Sequence, residues 1–237
     1  MGQLILHIET ATDICSVALS EDGRCIAVEE SGPERAHARL LSPYIRTLFE
    51  KAGKTMGDLS AVAVSKGPGS YTGLRIGVST AKGIAYGRDI PLLSAGTLEN
   101  LAFGASRRPE FLRLQEEHPD ILLCPMLDAR RMEVYAGIWN HRLEPVREVT
   151  AEIIDETSFR DLLESGPVCF FGNGSGKCRE VLPHPNARFL EDVNPSARHM
   201  TEPVTRAWNA GDFEDVAYFE PFYLKDFVAT VPRKKVL

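Results

Sequence analysis

Apolar and polar positions alternate along residues 3–9 (QLILHIE), and the alternation returns in 14–21 (ICSVALSE) and 24–30 (RCIAVEE). A period of two sends successive side chains to opposite faces, so each run predicts a strand. The polar turns ETATD (9–13) and EDG (21–23) lie between them, which predicts a three-stranded antiparallel meander. From Ala36 the period changes. Ala36, Leu40, Leu41, Tyr44, Ile45, Leu48, Phe49 and Ala52 fall on one face of a 3.6-residue repeat, so a helix is predicted. Pro43 lies inside it, and because the apolar face continues past the proline, a kinked helix is expected rather than two helices. A strand over 60–66, a helix over 73–86, a strand over 90–95 and a helix from Thr97 follow.

The charged, proline-bounded stretch 107–119 reads as an interdomain segment. Beyond it the opening pattern recurs. Strands are predicted at 120–130, 132–140 and 141–149, a helix at 157–165, a strand at 167–171 and a helix over about 196–210. IETATDICSVALSEDG and MLDARRMEVYAGIWNH share one plan of strand, acidic turn, strand and turn. A strand triplet followed by helices, used twice, predicts a duplicated two-lobed α/β protein. The lobes divide as 1–106 and 107–219, with the tail 220–237 returning to the first.

Composition limits the function classes. The 237 residues carry 27 Lys/Arg against 33 Asp/Glu; residues 1–119 hold 13 against 14 and the remainder 14 against 19. Neither half is basic, so an independent grip on nucleic acid is not expected, the Arg233-Lys234-Lys235 tail notwithstanding. No apolar run has membrane-spanning length. The five cysteines form no CxxC, and Cys15, Cys124 and Cys169 lie in apolar runs, as expected of reduced core thiols in a cytoplasmic protein.

Candidate chemistry centres on glycine. KGPGSYTGLRIG (66–77) fails the spacing of a phosphate-binding P-loop, and so does GNGSGK (172–177). Both loops read first as tight turns, with anion acceptance by their amides as the alternative. After the first loop, Gly73, Gly77, Ala81 and Ala85 recur every four residues and form a stripe of small side chains, and Gly83 and Gly87 add further gaps. Each helical glycine costs about 1 kcal/mol relative to alanine, so something must approach that backbone closely. The pattern leaves two occupants open: the chain's own strand or a partner's helix. Glu9 and Asp13 flank the first turn and Asp128 the equivalent second turn, where acids either hold a metal-bound phosphate or satisfy local backbone. No histidine has a metal-binding companion; His37 is followed four residues later by Leu41. No nucleophile elbow surrounds Ser175.

SKGPGSYTGLRIGVSTAKGIAYG (65–87) resembles the signature segment of the bacterial TsaB (YeaZ) family. HARLLSPYI (37–45), LILHIETATDICSVAL (4–19), LDARRMEVYAG (127–137) and EPFYLKD (220–226) are similar to that family's other elements. The resemblance implies a two-lobed actin/Hsp70/sugar-kinase-like (ASKHA) fold with duplicated βββαβαβα lobes. It implies a non-catalytic scaffold in the synthesis of tRNA threonylcarbamoyladenosine. The implied partners are a TsaD-type catalytic paralogue and a TsaE-type ATPase, with tRNA reached only through the complex, and with self-pairing as a homodimer when alone. The catalytic paralogue binds metal through His-x-x-x-His, a pattern that Leu41 breaks here.

The implied interface lies on the first two helices, at Ala36, His37, Leu40, Leu41, Tyr44, Leu48, Gly73, Leu74, Gly77, Val78, Ala81, Lys82 and Ala85. On this reading the small-residue stripe admits a partner helix. No tightly bound cofactor is implied. A residual site for weakly held ATP or ADP would involve Glu9, Asp13, Gly67, Gly69, Gly172, Gly174 and Gly176. The rival readings are a free-standing nucleotide-dependent phosphotransferase of the same fold, and a protease, which lacks both zinc spacing and a nucleophile.

Overall fold

A computed structural model describes residues 2–32 and 37–225. Strands β1 (Leu4–Glu9), β2 (Ser16–Glu21) and β3 (Arg24–Glu30) form the expected antiparallel meander. Helix α1 (His37–Ala52) leads to β4 (Ala61–Gly67), α2 (Tyr71–Arg88), β5 (Leu92–Gly96) and α3 (Thr97–Ser106). Pro43 sits inside α1 on its exposed side. The amide it lacks would have bonded the carbonyl of Arg39, also exposed, so water can satisfy that group.

Within the stretch 107–119, expected as an interdomain segment, the chain forms helix α4 (Pro109–Glu117). Proline at its first turn starts it, and the fully buried Phe111 holds it down. Strands β6 (Leu122–Asp128), β7 (Glu133–Trp139) and β8 (Pro145–Ile153) repeat the meander. β8 begins four residues later than expected because Asn140 takes the chain into a turn. Its Oδ1 accepts from the amides of Arg142 (2.9 Å) and Glu144 (3.0 Å). Helix α5 (Arg160–Ser165), β9 (Val168–Phe171), β10 (Ala187–Phe189) and α6 (Thr201–Ala210) complete the described elements.

The two sheets have the same topology, β3-β2-β1-β4-β5 and β10-β9-β6-β7-β8, with β4 and β5, then β9 and β10, added in parallel. This is the duplicated two-lobed α/β fold. The copies differ between their last two strands, where α2 of the first lobe is matched only by the short 3-10 turn Gly176–Cys178.

Packing crosses the boundary between the halves. α1 and α2 cover one face of the first sheet, with Leu41, Ile45, Leu48 and Phe49 joined by Val78, Ala81 and Ala85 over Leu4, Leu6, Ile8, Val62 and Val64. The other face offers Ala18, Ala61, Ala63 and Ala95, and this low relief receives Ala197, Met200 and Val204 from the second half. In return, Leu98, Leu101, Ala102 and Ala105 of α3 pack on Leu123, Leu127, Trp139 and Phe171 of the second sheet. Each half thus lends a helix to the other's sheet. Residues 214–222 run along the first sheet, where Glu214 N–H donates to Leu92 O at 2.8 Å and Phe222 N–H to Lys66 O at 2.7 Å, and Lys225 then pairs with Glu133 of β7. The rest of the expected returning tail, 226–237, lies outside the described residues.

Leu101→Ala, which empties a fully buried site, should cost about 2–5 kcal/mol in denaturant unfolding. Hydrogen exchange should then accelerate first in β6 and β9 rather than in β5, although Leu101 belongs to the first half.

Candidate functional site

β1 ends on Glu9, and the chain turns through Thr10–Asp13 before entering β2. The starts of α1 and α2 and the loop between β4 and α2 converge on this turn. The first residue of α1, His37, donates its Nε2–H to the Thr12 carbonyl at 2.6 Å. Ser70 N–H donates to Ala11 O at 2.6 Å, and Ser70 Oγ caps α2 by accepting from Gly73 N–H at 3.3 Å.

The glycines explain how three segments fit around one turn. A Cβ on Gly69 would stand 2.3 Å from Ala11 O. One on Gly73 would stand 2.1 Å from Thr10 O, and one on Gly77 2.2 Å from Thr10 Oγ1. Each is far inside van der Waals contact, so α2 can seat on the turn only without these side chains. Ala81 and Ala85 continue the stripe into the core at 0% and 1% exposure. The stripe therefore faces this chain's own turn and core. Of the two occupants that the pattern left open, the chain's own backbone is the one in contact with it here. Gly83 and Gly87 face open space.

The other expected interface residues sort in the same way. Leu41, Leu48, Leu74 and Val78 are buried, and Leu40 and Tyr44 are half-buried at the edge of the same core. Lys82 Nζ donates to the carbonyls of Ala217 (3.1 Å) and Phe219 (2.9 Å) on the returning tail. Ala36 lies outside the described residues. The sides that α1 and α2 turn outward carry other residues, among them Arg39, Ser42, Arg46, Arg75, Ser79 and Tyr86.

The loops expected to contact a nucleotide are braced by protein groups. Gly67, at φ +109°, has the Phe222 carbonyl 2.7 Å from where its Cβ would be. In the second lobe a Cβ on Gly172 would meet Met126 O at 2.4 Å, and one on Gly174 would meet the Leu127 carbonyl carbon at 2.7 Å. Gly174 N–H donates to Met126 O at 3.0 Å. Gly176 has open space around it. Lys177 fills the second acidic turn, binding Asp128 and donating to the carbonyls of Arg131 (2.6 Å) and Glu133 (2.7 Å). Asp13 stands half-buried in the first turn.

Glu9 points to the other face of β1, toward Ser65, Thr97 and Asn100, all fully buried. Its Oε1 accepts from Ala11 N–H at 2.7 Å, while Oε2 and the Asn100 amide have no partner of good hydrogen-bonding geometry. Ser65 Oγ and Thr97 Oγ1 pair at 2.8 Å. Burial pushes the Glu9 carboxyl up to about 7, outweighing the hydrogen bonds that favour its charged form. Burial also pushes two histidines down: His7, bonded through Nε2 to Ser20 Oγ at 2.7 Å, to about 3, and His199 to about 4. No group of three or more His, Cys, Asp or Glu side chains among the described residues is arranged to hold a metal ion. None of the described helices is long and apolar enough to cross a membrane. Sequence reasoning missed Thr10, Asn100 and Lys177. Only Thr10 left a signal, as a small residue in a turn opposite glycines.

Gly77→Leu should prevent folding or lower the melting temperature sharply, whereas Gly83→Ala should raise stability by up to about 1 kcal/mol. Circular dichroism melts compare the two directly. Glu9 generates a pH signature. Its folded pKa, about 7, lies above the ordinary carboxyl value of 4.5, so the stabilisation from its proton is complete below pH 4.5 and is lost as pH rises through 7. Glu9→Gln should therefore gain on the parent protein by on the order of 1–3 kcal/mol between pH 5 and pH 8, read as the difference between the two melting profiles.

The geometry has counterparts in known proteins. The model of the family TsaD, tRNA N6-adenosine threonylcarbamoyltransferase, matches residues 31–202. The tRNA threonylcarbamoyladenosine biosynthesis protein TsaB of Escherichia coli is 33% identical over 95% of this chain and 96% of its own length. TsaB of Bacillus subtilis is 29% identical over 93% of each chain. A crystal structure from Pseudomonas aeruginosa, described as an uncharacterized protein with similarity to peptidase YeaZ, superposes with a TM-score of 0.78. It is 26% identical and covers 94% of this chain and 100% of its own. The chain belongs to the TsaD family, in its TsaB (YeaZ) branch.

Proposed function

We propose that this chain is a non-catalytic scaffold in tRNA N6-threonylcarbamoyladenosine synthesis, pairing with a TsaD-type catalytic paralogue and activating it. One observation carries the reading. The paralogue's metal pair is His-x-x-x-His, and here the second position is Leu41, buried at 2% exposure in the core of the first lobe. The surviving His37 donates its Nε2–H to the Thr12 carbonyl and so braces the turn rather than a metal. The residues present do not fit the metal, and no step is routed through one.

The same replacement explains why a partner is needed. A lobe that keeps the fold but converts a ligand position into core gains stability and loses the chemistry. The braced glycine loops point the same way, because their close contacts are with this chain's own carbonyls. A TsaE-type ATPase joins the assembly in this reading, and tRNA meets the chain only within it.

The test is reconstitution with purified components. The chain alone should leave an ANN-decoding tRNA unmodified, and the paralogue with the ATPase should modify it efficiently only when the chain is added. Transfer of threonylcarbamoyl to tRNA by the chain unaided would overturn the proposal.

A further inference from the structure

We infer that Glu9 and Asn100 form a proton-held latch between the two lobes. With its proton the carboxyl fastens α3 to the end of β1, and without it the Asn100 amide must turn over and the helix loosens. The latch lies within this chain and does not depend on the proposed pairing.

α3 is held from both sides. Leu98, Leu101, Ala102 and Ala105 pack on the second sheet. Thr97 and Asn100 lie instead beside Glu9 and Ser65 of the first sheet, and these polar side chains are all fully buried. Asn100 and Leu101 are successive residues, so the grip of one lobe begins where the grip of the other ends. Leu101 reaches the loop after β9, where it stands 2.9 Å from the place that a Cβ on Gly172 would take. A movement of one lobe against the other therefore strains this pair.

The hydrogen-bonding groups show what the proton does. Glu9 Oε1 accepts from Ala11 N–H at 2.7 Å, which leaves Oε2 to be matched. Oε2 and both polar atoms of the Asn100 amide are buried with no partner of good hydrogen-bonding geometry. A carboxyl that carries its proton on Oε2 donates it to Asn100 Oδ1. Once the proton leaves for solvent, Oε2 only accepts, and the amide must turn over to offer Nδ2–H instead. Ser65 follows, because its hydroxyl, paired with Thr97 Oγ1 at 2.8 Å, can turn its hydrogen to either side. Burial favours the protonated arrangement and pushes the carboxyl up to about 7.

The groups packed around Glu9 leave it as the one that switches. β4 supplies Ser65, α3 supplies Thr97 and Asn100, and the turn supplies Thr10 and Ala11, none of which titrates. Cys15, next to β2, feels the Glu9 charge, but burial and that charge push its thiol up to about 11. His199, whose ring packs on Gly104 of α3, is pushed down by burial to about 4. Of the elements around Glu9, α3 is the one that can yield. β1 and β4 are bonded into the sheet, and Thr10 is wedged against α2. α3 is part of neither sheet and has its apolar side on the other lobe.

The experiment uses the full-length chain. The Glu9 carboxyl resonance, followed by carbon NMR, should titrate at about 7, and the Asn100 side-chain amide should shift with the same midpoint. Hydrogen exchange read by mass spectrometry and corrected for the intrinsic rate should quicken in α3 by about ten-fold or more between pH 5 and pH 7.5, and hold steady in β4. The sign follows from linkage. An opened latch frees a carboxyl of ordinary value 4.5, so opening gains with each pH unit from 4.5 to about 7 and levels off above. Glu9→Gln, which keeps a donor beside Asn100 Oδ1 at every pH, should abolish the dependence. A Glu9 resonance that titrates near 4.5 in the parent chain would overturn the latch without any variant. So would α3 exchange that ignores pH, that is matched by an equal rise in β4, or that persists in Glu9→Gln.

Discussion

The first lobe is organised around one close approach, that of the α2 backbone to the turn after β1. At Gly73 and Gly77 the helix stands so near Thr10 that no side chain fits between them. That contact fixes the position of α2 against the sheet. It also fixes the turn, whose carbonyls are taken by Ser70 from the α2 side and by His37 from the α1 side. Two helices and a strand end are thereby locked together by a few polar bonds and three absent side chains. Two glycines in the first helical turns cost on the order of 1 kcal/mol each, which buried contacts such as Leu74 and Val78 offset.

On the opposite face of β1 the constraint is electrostatic. Glu9 is fully buried beside Ser65, Thr97 and Asn100, two of which belong to a helix whose apolar side packs on the second sheet. The carboxyl keeps its proton near neutrality because burial costs its charged form more than the surrounding donors return. The end of β1 is thus shared: one face holds the helices of the first lobe, the other a polar cluster near the junction between lobes. The exchange of α3 and the 197–204 segment between the sheets makes that junction part of both cores.

The sequence made the strands legible because each meander alternates cleanly, and the duplication followed from the two similar runs. Less was legible where the signal is short or local. β10 is three residues long, too short for a period to register. The entry to β8 is displaced by an Asn140 side-chain turn. α4 carries one fully buried apolar residue, Phe111, among charged neighbours and so resembles a linker. The exchange of helices leaves no trace in sequence, because an apolar stripe does not say which sheet it faces. The glycine stripe was legible as a demand for close approach, but not as to what approaches. Spacing of four residues is the same whether the neighbour is the chain's own turn or another molecule's helix. The geometry at Thr10 decides it, and no periodicity contains that.

Assigning the glycines inward changes what the outer surface must accomplish. A helix whose small residues admitted a partner would bind by intimate backbone contact, and specificity would come from shape. Here the stripe from Gly73 to Ala85 faces inward, and what α1 and α2 show outward is a mixed polar surface that includes Arg39, Ser42, Arg46, Arg75, Ser79 and Tyr86. The tight interior and the charged exterior are two sides of the same helices. The close approach at Thr10 holds the helix axis in place, and the axis sets where Arg75 and Tyr86 stand. Any loosening at Thr10 would therefore disperse the outer charges before it exposed apolar core.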